Sequence, residues 1–218
     1  MPIFGHKEKN IKVFFIHIPR TGGRFIGENF LKNNFEIIHH RTGKKMANEK
    51  EREKYIGCII EDIKMWHWHS ALYHKHFSNI QSVPHITVVR DPVNKFFSAS
   101  SYLKNKRGIS EKDLYEYSDF HKVITSIIRT DFGNWFRPQH QFVSNRTHIW
   151  SYEEGLKGKF FDWLSDLLSI KFGYHTDRYF PMEREMKEGI KKDKRIIKNI
   201  KQFYQLDYTL VDLGKNIV

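Results

Sequence analysis

Two short segments, Phe15 to Ile26 (FIHIPRTGGRFI) and His85 to Leu103 (HITVVRDPVNKFFSASSYL), restrict most what this chain can become. Each begins as an apolar run of strand composition, passes through a turn containing Gly or Pro, and continues as a helix. In the first, Val13 to Ile18 reads as the strand and Pro19 ends it. Gly22 and Gly23 then let the backbone turn its N–H groups onto an anion at the start of the next helix. In the second, Ile86 to Val89 is the strand, Arg90 stands at its end, and Pro92 suits the first turn of a helix that carries Ser98. Cationic and hydroxyl side chains after two such strands make two anion sites, and two anion sites suggest one ligand with two phosphate-type groups.

The remaining pattern alternates strands with helices. Phe35 to His39 and Thr147 to Ser151 read as further strands, and Arg24 to Asn33 as a helix. Ser110 with Asp113 is a capping pair heading a helix through Leu114, Tyr117, His121, Ile124 and Ile128. Leu156, Phe160, Trp163, Leu164 and Leu167 share one side of another helix, and Met186, Ile190, Ile197, Ile200 and Tyr204 fall at helical spacing near the C-terminus. Arg41 to Lys54 is highly charged, with the character of an exposed loop or surface helix. The expected fold is α/β: a parallel sheet flanked by helices in three α/β/α layers, forming one domain over residues 1–218. Ligands of such sheets sit beyond the carboxyl ends of the strands, so both anion loops should open on the same edge.

Composition sets the partners. The 218 residues, 39% hydrophobic, can bury one sizeable core. A formal charge of +12 favours anionic ligands, whether nucleotide donor, acidic polysaccharide or nucleic acid. A noncatalytic polyanion-binding protein is therefore one reading, although no nucleic-acid motif of recognisable spacing supports binding of nucleic acid. No stretch approaches the roughly 18 apolar residues of a membrane span, and MPIFGHKEKNIK lacks a signal peptide's apolar core. Cys58 is the only cysteine, which excludes an intrachain disulfide. These features give the expectation of a soluble, cytoplasmic protein. G-x-x-x-x-G-K-[ST] is absent, which disfavours a Walker-type ATPase or GTPase.

At its two loops the chain resembles the sulfotransferases that use 3′-phosphoadenosine 5′-phosphosulfate (PAPS), in particular the carbohydrate type related to heparan sulfate 2-O-sulfotransferase. His17 to Arg24, HIPRTGGR, is similar to that family's H-I-P-K-T-G-G-T, and RDPVNKFFS (Arg90 to Ser98) to its R-D-P-x-x-R-x-x-S-x-Y signature, with Arg90 and Ser98 at the matching spacing. WHWH (Trp66 to His69), RPQHQF (Arg137 to Phe142), HIWSYEEGL (His148 to Leu156) and FYQLDYTLV (Phe203 to Val211) follow in the family's order. The resemblance implies a P-loop-like sheet in which Arg20, Thr21, Gly22, Gly23, Arg24 and Phe25 hold the 5′-phosphosulfate. It implies that Arg90 and Ser98 hold the 3′-phosphate and that the product is 3′-phosphoadenosine 5′-phosphate (PAP). The acceptor would be a hydroxyl, foremost of a carbohydrate. Secretory-pathway relatives carry a membrane anchor, so a bacterial or viral origin is the more natural expectation.

Sulfuryl transfer needs a base for the acceptor hydroxyl, cations for charge gathering on the leaving oxygens, and rigid placement of the donor. Side-chain cations can supply the second, so no metal is required. Arg20 stands where the family has Lys; it keeps the charge but cannot give up a proton, so it does not serve as a proton donor to the leaving group. The family's catalytic histidine comes from a His-x-His segment, here His67 and His69, with His69 the preferred base and His67 its helper. Imidazole titrates at about 6.5, and residues two apart on a strand point to the same side. The same histidines with His74 and His76 also admit a metal-site reading or a packing one. Trp66, Trp68, Tyr73, Trp135 and Phe136 are candidates to stack on adenine or sugar, although most aromatics are core. Lys95, Lys104, Lys106 and Arg107 are candidate phosphate contacts or solvated lysines. Gln139 and Glu153 lie in family-like fragments without an assigned role. A kinase-like transferase using ATP is the alternative enzyme.

Overall fold

The computed structural model describes residues 3–38, 83–107, 133–175 and 193–215. Five strands form one sheet: β1 (Ile3–His6), β2 (Lys12–Ile16), β3 (Phe35–Ile38), β4 (His85–Val89) and β5 (Thr147–Ser151), in spatial order β3-β1-β2-β4-β5. Strands β2, β4 and β5 are mutually parallel, with Phe15 opposite Ile86 and Thr87 opposite Ile149. The expectation of a parallel sheet is met there and departs at β1, which pairs antiparallel with both β2 and β3 and makes the sheet mixed. The sequence reading contained no strand at β1. Its four residues, IFGH, include a glycine and lead straight into KEKN, too short a run to show a period. The β1–β2 connection is closed by His6, whose Nδ1 accepts the N–H groups of Glu8 and Lys9 at 3.2 and 3.1 Å.

Alternation along the strands loads both faces. Phe4, Val13, Phe15, Ile86, Val88 and Trp150 face one side, where helix α1 (Gly23–Lys32) and helix α3 (Gly158–Leu168) bring Ile26, Phe30, Phe160, Phe161 and Leu164. Ile3, Phe14, Ile16, Val89 and Ile149 face the other side, covered by Val211 of α5 (Gln205–Lys215) and by Phe142. Each fully buried side chain of this size contributes about 1.5–3 kcal/mol, and the two clusters together make a layered α/β core. Helix α2 (Pro92–Arg107) follows β4 and packs on α4 (Lys194–Phe203).

Element bounds follow local signals. Asp91 Oδ1 accepts Asn94 N–H at 2.8 Å, so Asp91 caps α2 and Pro92 takes the first helical position, as its missing N–H favours. Asp193 caps α4 through Arg195 and Ile196 N–H, which starts that helix at Lys194. The C-terminal helical stretch is broken by a turn at Tyr204, giving two helices whose buried positions keep one helical spacing. Met186, Ile190, Arg41 to Lys54 and the helix expected after Ser110 lie outside the described residues. Among the described residues no helix is long and apolar enough to cross a membrane.

Candidate functional site

Because β2 and β4 are adjacent and parallel, the loops that leave them emerge at the same carboxyl edge. The first loop turns sharply. Arg20 has φ 70° and Gly22 φ 88°, both left-handed, and Gly22 is the N-cap of α1. A side chain at Gly22 would be strained by that φ and would crowd Leu156 Cδ1, so the position favours glycine. Thr21 turns inward, its hydroxyl donating to Ile18 O at 2.8 Å; that commits the side chain to the turn rather than to a ligand. No side chain of the N-cap satisfies the first-turn N–H groups of α1, which belong to Gly23, Arg24 and Phe25. The Phe25 ring itself packs on Phe161 and Tyr174, 6.2 and 6.1 Å between centroids, so at the loop Phe25 offers its backbone and not its side chain.

The second loop closes on the first. Arg20 Nε donates to Ser98 Oγ at 2.9 Å, and Arg90 Nη1 donates to Arg20 O at 3.2 Å. Residues 70 and 78 positions apart in the chain therefore share one polar cluster at the sheet edge. Arg90 is only 7% exposed and its guanidinium lies 4.5 Å from the centroid of the Tyr152 ring, a cation–π contact. Tyr152 follows β5, so the third parallel strand delivers its loop to the same edge. Glu153 joins the strand ends, accepting from Asp91 N–H at 2.9 Å and from the Ser151 hydroxyl at 3.1 Å.

A buried polar platform lies behind Arg90. Gln139 Oε1 accepts Arg90 N–H at 2.9 Å, and Gln139 Nε2 donates to Arg90 O at 2.7 Å. Asp207, on α5, accepts from the N–H groups of Gln139 and His140 and contacts His140 Nδ1 at 2.8 Å. Lys95 donates to Trp135 O and Arg137 O at 3.0 and 3.2 Å. Burial pushes its ammonium down to about 8, with Asp207 opposing the shift. Lys95 is thus a buried strut and not a phosphate contact, a correction to the solvated or ligand-binding roles expected for it. Phe136 is likewise core, its ring 5.2 Å from that of Phe96, and not a stacking surface.

Of the expected site residues, Arg20, Arg90 and Ser98 are brought together, and Gly22, Gly23, Arg24 and Phe25 supply the helix start beside them. Of Arg24 only the backbone is described, as is that of Lys104, Lys106 and Arg107. His67, His69, His74, His76, Trp66, Trp68 and Tyr73 lie outside the described residues. Tyr152 was missed by the sequence reading; its signal was the position directly after a strand, within a fragment already noted. The arrangement can hold an anion on backbone N–H groups and a second anion beside guanidinium and hydroxyl groups. No family model, curated protein or solved structure matches the chain.

Proposed function

We propose that the protein is a P-loop-like, PAPS-dependent sulfotransferase that transfers a sulfuryl group to a hydroxyl, foremost of a carbohydrate. The observation that carries the reading is the closure of the two loops through Arg20–Ser98 and Arg90–Arg20 at the edge of adjacent parallel strands. A donor with a 5′-phosphosulfate and a 3′-phosphate presents two anions that must be read together, and this cluster joins the two sets of ligands.

In this reading the first-turn N–H groups of α1 take the 5′-phosphosulfate, and Arg90 with Ser98 takes the 3′-phosphate. The acceptor oxygen attacks sulfur in line, the bond from sulfur to the bridging oxygen breaks, and PAP leaves. Arg20 lies between the loops and gathers charge on the departing phosphate without donating a proton, since guanidinium keeps its proton in proteins. His69, assisted by His67, takes the hydroxyl proton. Placement and electrostatics supply most of the acceleration, as in phosphoryl transfer.

Calorimetric titration with PAP, ADP and adenosine 5′-phosphosulfate tests the donor. Preferential binding of the 3′-phosphorylated ligand is expected; equal affinities would overturn the reading and favour the ATP-using alternative. Arg90→Ala should keep the far-ultraviolet spectrum and lose PAP affinity. His69→Ala should abolish turnover with PAP affinity retained, and loss of both together would count against its role as base.

A further inference from the structure

We infer that Gln139 is a positioning residue that sets the Arg90 guanidinium for a 3′-phosphate, held in turn by the Asp207 carboxylate from α5; this rests on the proposed donor site.

The β4 ladder ends at Val89, opposite Ser151, so Arg90 is the first residue whose backbone polar groups lie beyond the sheet. Buried backbone groups need partners. Gln139 supplies both at once, accepting the Arg90 N–H at 2.9 Å and donating to its carbonyl at 2.7 Å. A single amide thus acts as one more residue of a neighbouring strand and extends β4's order by one position. Gln139 is 0% exposed, as is Asp207.

Gln139 is itself immobilised. Asp207 Oδ2 accepts its N–H at 2.8 Å, and Oδ1 accepts that of His140 at 3.0 Å. Just upstream, the carbonyls of Trp135 and Arg137 accept from Lys95, and that of Phe136 accepts the Tyr204 hydroxyl at 2.5 Å. A short connection between elements would not need charged side chains from two helices, α2 and α5, and the phenol at the α4–α5 junction to fold. Such anchoring is what a ligand-holding arginine requires, because a displacement of about 1 Å at a positioned group costs about a hundredfold in rate. Lys95 and Ser98 share α2, so the helix that offers the hydroxyl is tied to the same platform.

The test is Gln139→Met, which keeps the length and removes both hydrogen bonds. Wild type and variant are titrated with PAP and ADP, and amide hydrogen exchange is followed at Arg90, Val88 and Val89. The expected result is a loss of about tenfold or more in PAP affinity with ADP changed less than about twofold, and faster exchange at Arg90 alone. A purely structural glutamine would weaken both ligands alike or neither. Unchanged PAP affinity with unchanged Arg90 exchange overturns the inference. If wild type itself does not prefer PAP, the donor reading falls, and the clamp is then judged by Arg90 exchange: an unchanged rate in the variant overturns it. Should Gln139→Met not fold, Gln139→Glu keeps the acceptor for Arg90 N–H and loses the donor to its carbonyl. Selective loss of PAP affinity in that variant supports the inference, and wild-type affinity overturns it.

Discussion

Arg20 occupies a left-handed backbone that costs a non-glycine residue roughly 1–2 kcal/mol. The strain persists beside a turn that Thr21 and Gly22 define, and it delivers the guanidinium to Ser98. Arg20→Gly should therefore leave the melting temperature unchanged or raised while PAP affinity falls about tenfold; thermal unfolding and calorimetry measure the two. A fall in both would mean that the bond to Ser98 serves stability first. Lys95 gives a pH signature. Below about pH 8 its amine is protonated in folded and unfolded chains, and the fold bears the full desolvation cost. Between about 8 and 10.5 the unfolded chain holds the proton and the folded chain does not, so stability from this group rises with pH across that window. Urea unfolding of wild type and Lys95→Met at about pH 7.5 and about pH 9.5 should show wild type gaining relative to the variant. A difference that does not change with pH would show that the buried ammonium is not desolvated.

At the scale of elements, α5 lies backbone to backbone against β5 at Gly214. A methyl group at Gly214 would stand 2.7 Å from Ser151 N and 2.9 Å from Trp150 C, both backbone atoms that cannot swing aside. Gly214→Ala should cost about 1–3 kcal/mol by overpacking, read from denaturant midpoints. Because the same helix carries Asp207, PAP affinity should fall as well; a stable variant with intact binding would show that α5 tolerates the shift. Strands β2 and β4 and helices α1 and α3 were legible in the sequence, since buried parallel strands read as near-continuous apolar runs and both helices show a 3.6-residue period, while β3 and β5 were read from shorter runs. Strand β1 was not, because four residues of mixed character acquire strand geometry only by pairing on both sides.

Over the whole molecule, the two loops and their common edge were legible, but the contacts that join them were not. Arg90, Ser98 and the glycines announce themselves by their place after a strand. The bond from Arg20 to Ser98 spans 78 residues, and the clamp of Gln139 on Arg90 spans 49; such pairings follow from sheet order and helix docking, which local pattern does not encode. The burial of Lys95 was hidden for the same reason, as a lysine reads as solvated until a carbonyl-lined interior is known to receive it. Asp207 stands beyond every strand and beyond both loops in the chain, yet it steadies the residue that holds Arg90. During synthesis the glycine turn, both arginines and Ser98 leave the ribosome well before it. A nascent chain could thus form the sheet while the backbone of Arg90 still lacks its steadied clamp, and on the proposed donor reading the 3′-phosphate would be held only once α5 has docked.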